Sequence, residues 1–138
     1  MEYKEQVKDY LNRCNINLEI VKKNDGYEFT QLFSNFISSL IFIKENRKIT
    51  TEPLSNYGLT CRVMSNTYET NFEENIKEFI RHLRNACCHY GIEIKSENGE
   101  ISKVVFKDKH RYKKQECEFE MSVKEIENVY EFLKHCIE

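Results

Sequence analysis

No stretch of this 138-residue sequence is apolar for long enough to cross a bilayer. The longest run, Leu40 to Ile43, falls far short of the ~20 residues a spanning helix needs. The first residues, Met1-Glu2-Tyr3-Lys4-Glu5-Gln6, are charged from the outset and unlike an export signal, so a cytoplasmic protein is expected. An excess of one charge is missing too: 21 Lys and Arg stand against 23 Asp and Glu, a net charge of -2. That balance excludes a wholly electropositive nucleic-acid binder and confines any phosphate recognition to a local patch. The six cysteines (Cys14, Cys61, Cys87, Cys88, Cys117 and Cys136) contain no C-x-x-C pair. With no export signal they read as reduced core thiols, not as a disulfide framework or a zinc site. No G-x-x-x-x-G-K string is present, which excludes a P-loop nucleotidase. Nor is there a repeat, a low-complexity tract or a linker, so residues 1–138 are expected to form one domain that buries roughly two-thirds of its unfolded surface.

What is present is mostly helical patterning. Val7, Leu11, Cys14, Leu18 and Val21 recur at spacings of three and four and predict a first helix over about 2–23, stopped by Asn24-Asp25-Gly26. Phe29, Phe33, Phe36, Ile37, Leu40, Ile41 and Phe42 predict a second, more buried helix over about 27–46. Residues 53–66 fit no period cleanly; Pro53 suggests a weak helix there. Asn71, with Glu74 three places on, predicts the start of a helix over 71–90, and Gly91 suits a left-handed end. From Ile92 the pattern turns to alternation around Asn98-Gly99, a hairpin signal, predicting two or three antiparallel strands within 92–121. Ser122 with Glu125 opens a last helix over 122–137, striped by Val123, Ile126, Tyr130, Leu133 and Ile137. The expected fold is mainly α: a four- to five-helix bundle with a small antiparallel hairpin or three-stranded sheet before the last helix.

Chemistry concentrates on the helix over 71–90, which carries Arg84-Asn85-Ala86-Cys87-Cys88-His89. A guanidinium meets phosphate charge, and an imidazole moves protons near neutral pH; phosphodiester cleavage without a metal needs both. With His82 at zero on a helical wheel, Asn75, Glu78, Asn85 and His89 fall at about 20°, 320°, 300° and 340°. They form one polar stripe bordering the core face. Arg84, at about 200°, leaves the helix roughly 140° away from His89. Two facing copies related by a two-fold axis would bring the pair together at one phosphate. A distorted helix end at His89-Tyr90-Gly91 is the other route.

The stretch Phe79-Ile80-Arg81-His82-Leu83-Arg84-Asn85-Ala86-Cys87-Cys88-His89-Tyr90-Gly91 resembles the motif helix of the HEPN superfamily, the higher eukaryotes and prokaryotes nucleotide-binding domains. Members are helical bundles, and many are metal-independent endoribonucleases. Their pattern is an Arg, usually a polar residue, and a His four to six positions after the Arg, met here by Arg84, Asn85 and His89. The resemblance is specific over about Phe72 to Gly91. It implies a homodimer whose motif helices line a shared cleft, with RNA as substrate and no metal or cofactor. In that cleft His89 would move protons, Arg84 would stabilise charge on the phosphate, and Asn85 would orient one or the other. Arg81, His82 and Glu78 would be helpers, or merely structural. A toxin or phage-defence role follows by resemblance, with an antitoxin or regulatory protein as partner. The alternative is a non-catalytic module of the same type that binds nucleotide or a protein.

Cys87 and Cys88 occupy positions where relatives carry small or aliphatic residues, and packing is the expected role of both. A second basic feature comprises Lys103, Lys107, Lys109, Arg111, Lys113 and Lys114, with His110 and Tyr112 among them and Asp108 as the single acid. In a hairpin this would form a mobile basic arm. It either keeps a sheet edge solvated or tracks an RNA backbone through Lys107, Lys109, Arg111, Lys113 and Lys114 while Tyr112 stacks on a base.

Overall fold

A computed structural model describes residues 3–43 and 49–137. Its order is α1 (Tyr3–Lys23), α2 (Glu28–Phe42), β1 (Arg62–Asn66), α3 (Ile76–Cys88), β2 (Ile92–Glu97), β3 (Glu100–Lys109), β4 (Glu116–Ser122) and α4 (Val123–Ile137), with short 3-10 turns at Leu54–Tyr57 and Phe72–Glu74. The strands make one antiparallel sheet in the order β1-β4-β3-β2. The fold is therefore mixed rather than mainly helical, four helices packed with a four-stranded sheet among the described residues: β2, β3 and β4 supply the three strands expected before the last helix, and β1 adds a fourth. The expected starts and ends at Glu2 and at residues 44–46 lie outside the described residues.

The weak helix expected over 53–66 is where sequence and structure part. Pro53 opens only one 3-10 turn, because Gly58 takes a left-handed conformation (φ 68°) and stops it at once. Residues 62–66 then form β1, paired with β4. Between Val63 and Ser65 the register shifts, leaving Met64 as an extra residue. That bulge moves the chain out of strict alternation, which is why no period of two is visible there.

α3 also begins later than expected. Asn71 does cap, accepting from the Glu73 amide at 3.1 Å, but it caps the 3-10 turn. A second asparagine, Asn75, accepts from the Glu78 amide at 3.2 Å and starts the α-helix at Ile76. Elsewhere local signals are obeyed. Asn98 and Gly99 both take positive φ (52° and 80°), as a two-residue hairpin of the primed type requires. Ser122 and Glu125 form the reciprocal cap, Glu125 N to Ser122 Oγ at 3.1 Å and Ser122 N to Glu125 Oε1 at 3.0 Å.

The helical side and the sheet share a core centred on phenylalanine. Phe36, Phe72, Phe79, Phe106 and Phe119 are fully buried, and Phe72, Phe79, Phe106 and Phe119 pack ring against ring at centroid distances of 5.1 to 5.9 Å. On β3 and β4 the inward positions are Val104, Phe106 and Asp108, and Cys117, Phe119 and Met121. The outward positions carry charge: the nearly buried Glu120 meets Lys103 at 3.3 Å, Arg62 at 3.8 Å and Lys95 at 4.0 Å.

Gly91 closes α3 onto β3, though not as a left-handed cap. Tyr90 holds that conformation (φ 60°), and the Gly91 amide bonds back to Ala86 O at 2.8 Å in a Schellman turn. Gly91 is required for closeness instead: a Cβ there would lie 1.9 Å from the Lys107 carbonyl oxygen. Gly91→Ala should therefore destabilise the fold by about 3 kcal/mol or more, because backbone must move to admit the methyl group; urea unfolding measures it, and a loss below about 1 kcal/mol would contradict the close approach.

Candidate functional site

α3 presents its polar residues to three environments. On the sheet side, His82 is fully buried, deeper than the core-edge position its wheel angle implied. Its Nδ1 lies 2.7 Å from Asp108 Oδ2, and the Asn85 amide donates to the same oxygen at 3.3 Å. A carboxylate only accepts, so the imidazole proton sits on Nδ1. His82 Nε2 is buried with no hydrogen-bond partner among the described residues, and the imidazole packs against the rings of Tyr68 and Phe72 at centroid distances of 4.6 and 5.5 Å. Burial pushes the Asp108 carboxyl up, but the hydrogen bonds from His82 and Asn85 and the nearby Arg81 guanidinium outweigh it and hold the group below its ordinary range. The Tyr68 phenol is pushed up to about 12 by burial and by the Asp108 charge.

On the second side, Arg81 donates from Nε and Nη2 to Glu78 Oε2 at 3.1 and 2.7 Å and lies over the Tyr68 ring at 5.7 Å. Outside both networks, on different sides of the helix, Arg84 is half-buried and His89 exposed, and neither side chain has a partner among the described residues. His89 is the C-cap, and its amide still bonds to Asn85 O at 3.0 Å. The helical ladder is thus intact up to His89, and a distorted end does not swing it round to Arg84. Lys77, Arg81, Arg84 and Cys88, spaced four, three and four apart, form the solvent-side ridge of α3.

Asp108 was legible only as an acid among lysines. Its strand position was the usable signal: Val104, Phe106 and Asp108 continue one face of β3, while Lys107 and Lys109 continue the other, so the acid points inward. With Cys117, across β4, and His82 it forms a group whose ligand atoms all lie within 4.8 Å of one another. The 2.7 Å between His82 Nδ1 and Asp108 Oδ2 is a hydrogen-bond length, shorter than the roughly 3.3 Å that separates two ligands of one tetrahedral zinc. The Cys117 thiol, pushed up to about 12 by burial and then by Asp108, stays protonated. Cys87 is pushed to about 12 by burial and packs against the core, in keeping with a packing role, while Cys88 is exposed.

The basic segment is divided between strand β3 and a closed turn. Lys107 and Lys109 stand on β3 opposite Glu118 and Glu116 of β4. The loop beyond closes on itself: His110 N donates to Gln115 O at 2.8 Å, and His110 Nδ1 accepts from the amides of Tyr112 and Lys113, both at 3.1 Å. Arg111, Tyr112, Lys113 and Lys114 are exposed at its tip, with Arg111 over the Tyr112 ring at 5.4 Å.

A carboxyl whose folded pKa is depressed stabilises the fold fully above its unfolded value near 4, and that contribution fades as the pH falls through the lower folded value. Asp108→Asn should cost about 2 kcal/mol at pH 7 and flatten the decline of stability below pH 4; unfolding curves across the acid range that superimpose for the two proteins would refute this.

No helix among the described residues is long and apolar enough to cross a membrane. No curated protein and no solved structure matches the sequence. A family model, HEPN pEK499 p136, matches residues 1–138. That match runs the whole length of a chain whose α3 carries Arg84 and Asn85, with His89 as its C-cap, and the chain therefore belongs to the HEPN pEK499 p136 family.

Proposed function

We propose that the protein is a metal-independent endoribonuclease of the toxin or phage-defence kind, acting through Arg84 and His89 of two facing subunits. One observation carries this reading. Among the polar groups of α3 and its C-cap, Glu78, Arg81, His82 and Asn85 are bonded within the chain, whereas the side chains of Lys77, Arg84 and His89 are left unpaired among the described residues, and of these only Arg84 and His89 belong to the Arg-Asn-x-x-x-His string. Groups kept free of internal partners are the ones available to a ligand. Asn85 is tied to Asp108 and acts as a positioning residue, and Glu78, Arg81 and His82 support it from the same helix.

The chemistry follows from these groups. An imidazole removes the proton of a ribose 2′-hydroxyl as its oxygen attacks the adjacent phosphorus. The P–O5′ bond breaks, and the 5′-oxygen takes a proton from a second imidazole, so the products end in a 2′,3′-cyclic phosphate and a 5′-hydroxyl. The Arg84 guanidinium stabilises the extra negative charge at phosphorus. The intact helix keeps Arg84 and His89 of one chain on different sides, so a two-fold related copy supplies the complementary group. Lys77 and Arg84 from two chains, neither paired with an acid among the described residues, would give the cleft its local positive charge despite the net charge of -2. Such an activity would harm the cell that carries it, which calls for an antitoxin or other regulatory partner.

Incubation with total RNA in excess chelator tests the core of the reading. The wild type should cleave, and Arg84→Ala and His89→Ala should each be at least about 100-fold slower with folding intact; equal cleavage by all three would sink it, and nucleotide binding without cleavage would mark a non-catalytic module. For the basic loop, replacing Arg111, Lys113 and Lys114 together by glutamine should lower the slope of log affinity against log salt by about 2. An unchanged slope would remove the loop from the RNA interface.

A further inference from the structure

Tyr90 is the residue that neither the core nor the polar networks use. It is 96 % exposed, the most exposed large hydrophobic side chain among the described residues. It also occupies a left-handed backbone position, φ 60°, which L-residues with a Cβ disfavour and glycine adopts freely. The neighbouring glycine does not relieve it, because Gly91 is committed to its contact with the Lys107 carbonyl. A bulky aromatic thus stands in a strained, solvent-facing position where the fold gains nothing from it, and such positions collect at ligand sites.

Its surroundings fit a nucleobase. Tyr90 directly follows His89. The residues flanking it are tied down: His89 N donates to Asn85 O at 3.0 Å, Gly91 N donates to Ala86 O at 2.8 Å, and Gly91 O accepts from Lys107 N at 2.7 Å. The β2–β3 register, with Ile92 opposite Phe106, continues through Gly91 opposite Lys107 and brings Tyr90 beside the end of β3. There the loop bearing Arg111, Tyr112, Lys113 and Lys114 departs, within about 10 Å along the strand. The imidazole of His89, an exposed ring on a fixed backbone and a cationic loop therefore share one end of the sheet.

We propose that Tyr90 is a stacking platform for the base next to the phosphate that His89 and Arg84 address, with the loop at residues 110–115 taking the phosphates beyond it. The inference rests on the ribonuclease reading for the identity of that phosphate, but base stacking by Tyr90 is measurable without cleavage. A ring that must lie against an exposed base face requires an unpaired nucleotide at that position.

The experiment uses full-length Tyr90→Gly, Tyr90→Leu and Tyr90→Phe, each alone and combined with His89→Ala. In the His89→Ala background, binding of a fluorescein-labelled oligoadenylate decamer is read by anisotropy. Tyr90→Gly and Tyr90→Leu should weaken it about tenfold, near the low end of what one base–aromatic stack supplies, and Tyr90→Phe should restore it to within about twofold of the Tyr90 protein. In the active background KM should rise by a similar factor with kcat little changed. Tyr90→Gly should melt no lower than wild type, since it relieves the backbone, so lost affinity cannot be ascribed to unfolding. Affinity and KM unchanged in Tyr90→Gly would overturn the platform and leave the nuclease reading standing. Weakened binding rescued by Phe, in a protein that cleaves nothing, would support the platform and retire the nuclease reading. No binding of the oligonucleotide by any variant, Tyr90 protein included, would overturn the proposal and point to a protein partner for the ring.

Discussion

The seam between α3 and β3 governs this molecule. At its middle the Asp108 carboxylate accepts from His82 and Asn85 on the helix, and at its end the Gly91 backbone lies against that of Lys107. The two contacts differ in kind. The first is a charge-assisted polar bond inside an apolar shell of Phe72, Tyr68 and Cys117, where the local dielectric makes it costly to break. The second is steric, fixed by the missing Cβ. Together they set both the rotation of α3 about its axis and the level at which it stops. The same two quantities decide where Arg84 and His89 leave the surface.

From this arrangement comes a division of labour along one short helix. Residues on the sheet side of α3 are taken up in holding it, while the side chains of Arg84 and His89 are unpaired among the described residues. Asn85 stands between the two groups: its side chain bonds inward to Asp108, and its carbonyl receives the amide of His89. Asn85 thus joins the buried acid to the C-cap residue through one side-chain and one backbone bond. The family match covers every residue of this framework, the seam included.

Much of this was readable before any coordinates, and the unread parts have identifiable causes. Caps and turns are local devices, so Asn98-Gly99 and Ser122-Glu125 declared themselves. The helical spacing of α1, α2 and α4 was plain for the same reason. β1 was hidden because its partner, β4, lies more than fifty residues away and because the extra residue Met64 disrupts the alternation. The start of α3 was displaced because two asparagines, Asn71 and Asn75, both carry the capping signature and only tertiary context decides which opens an α-helix. In the site, Arg84, Asn85 and His89 were visible as a string. The depth of His82 was not, because a wheel angle gives direction but not what lies over it, and here β3 covers it with a buried acid.

The irregularities of the sheet carry a final consequence. Met64 is extruded from β1 on one margin, and on the other the β2–β3 pairing skips Ser102, so both outer ribbons are bent. Glu93 and Lys95 add charge along the β2 margin. A further strand laid against either side would have to flatten these kinks and strip water from fixed charges, which native sheets use to resist unwanted extension. Growth by strand addition is thereby obstructed at both flanks.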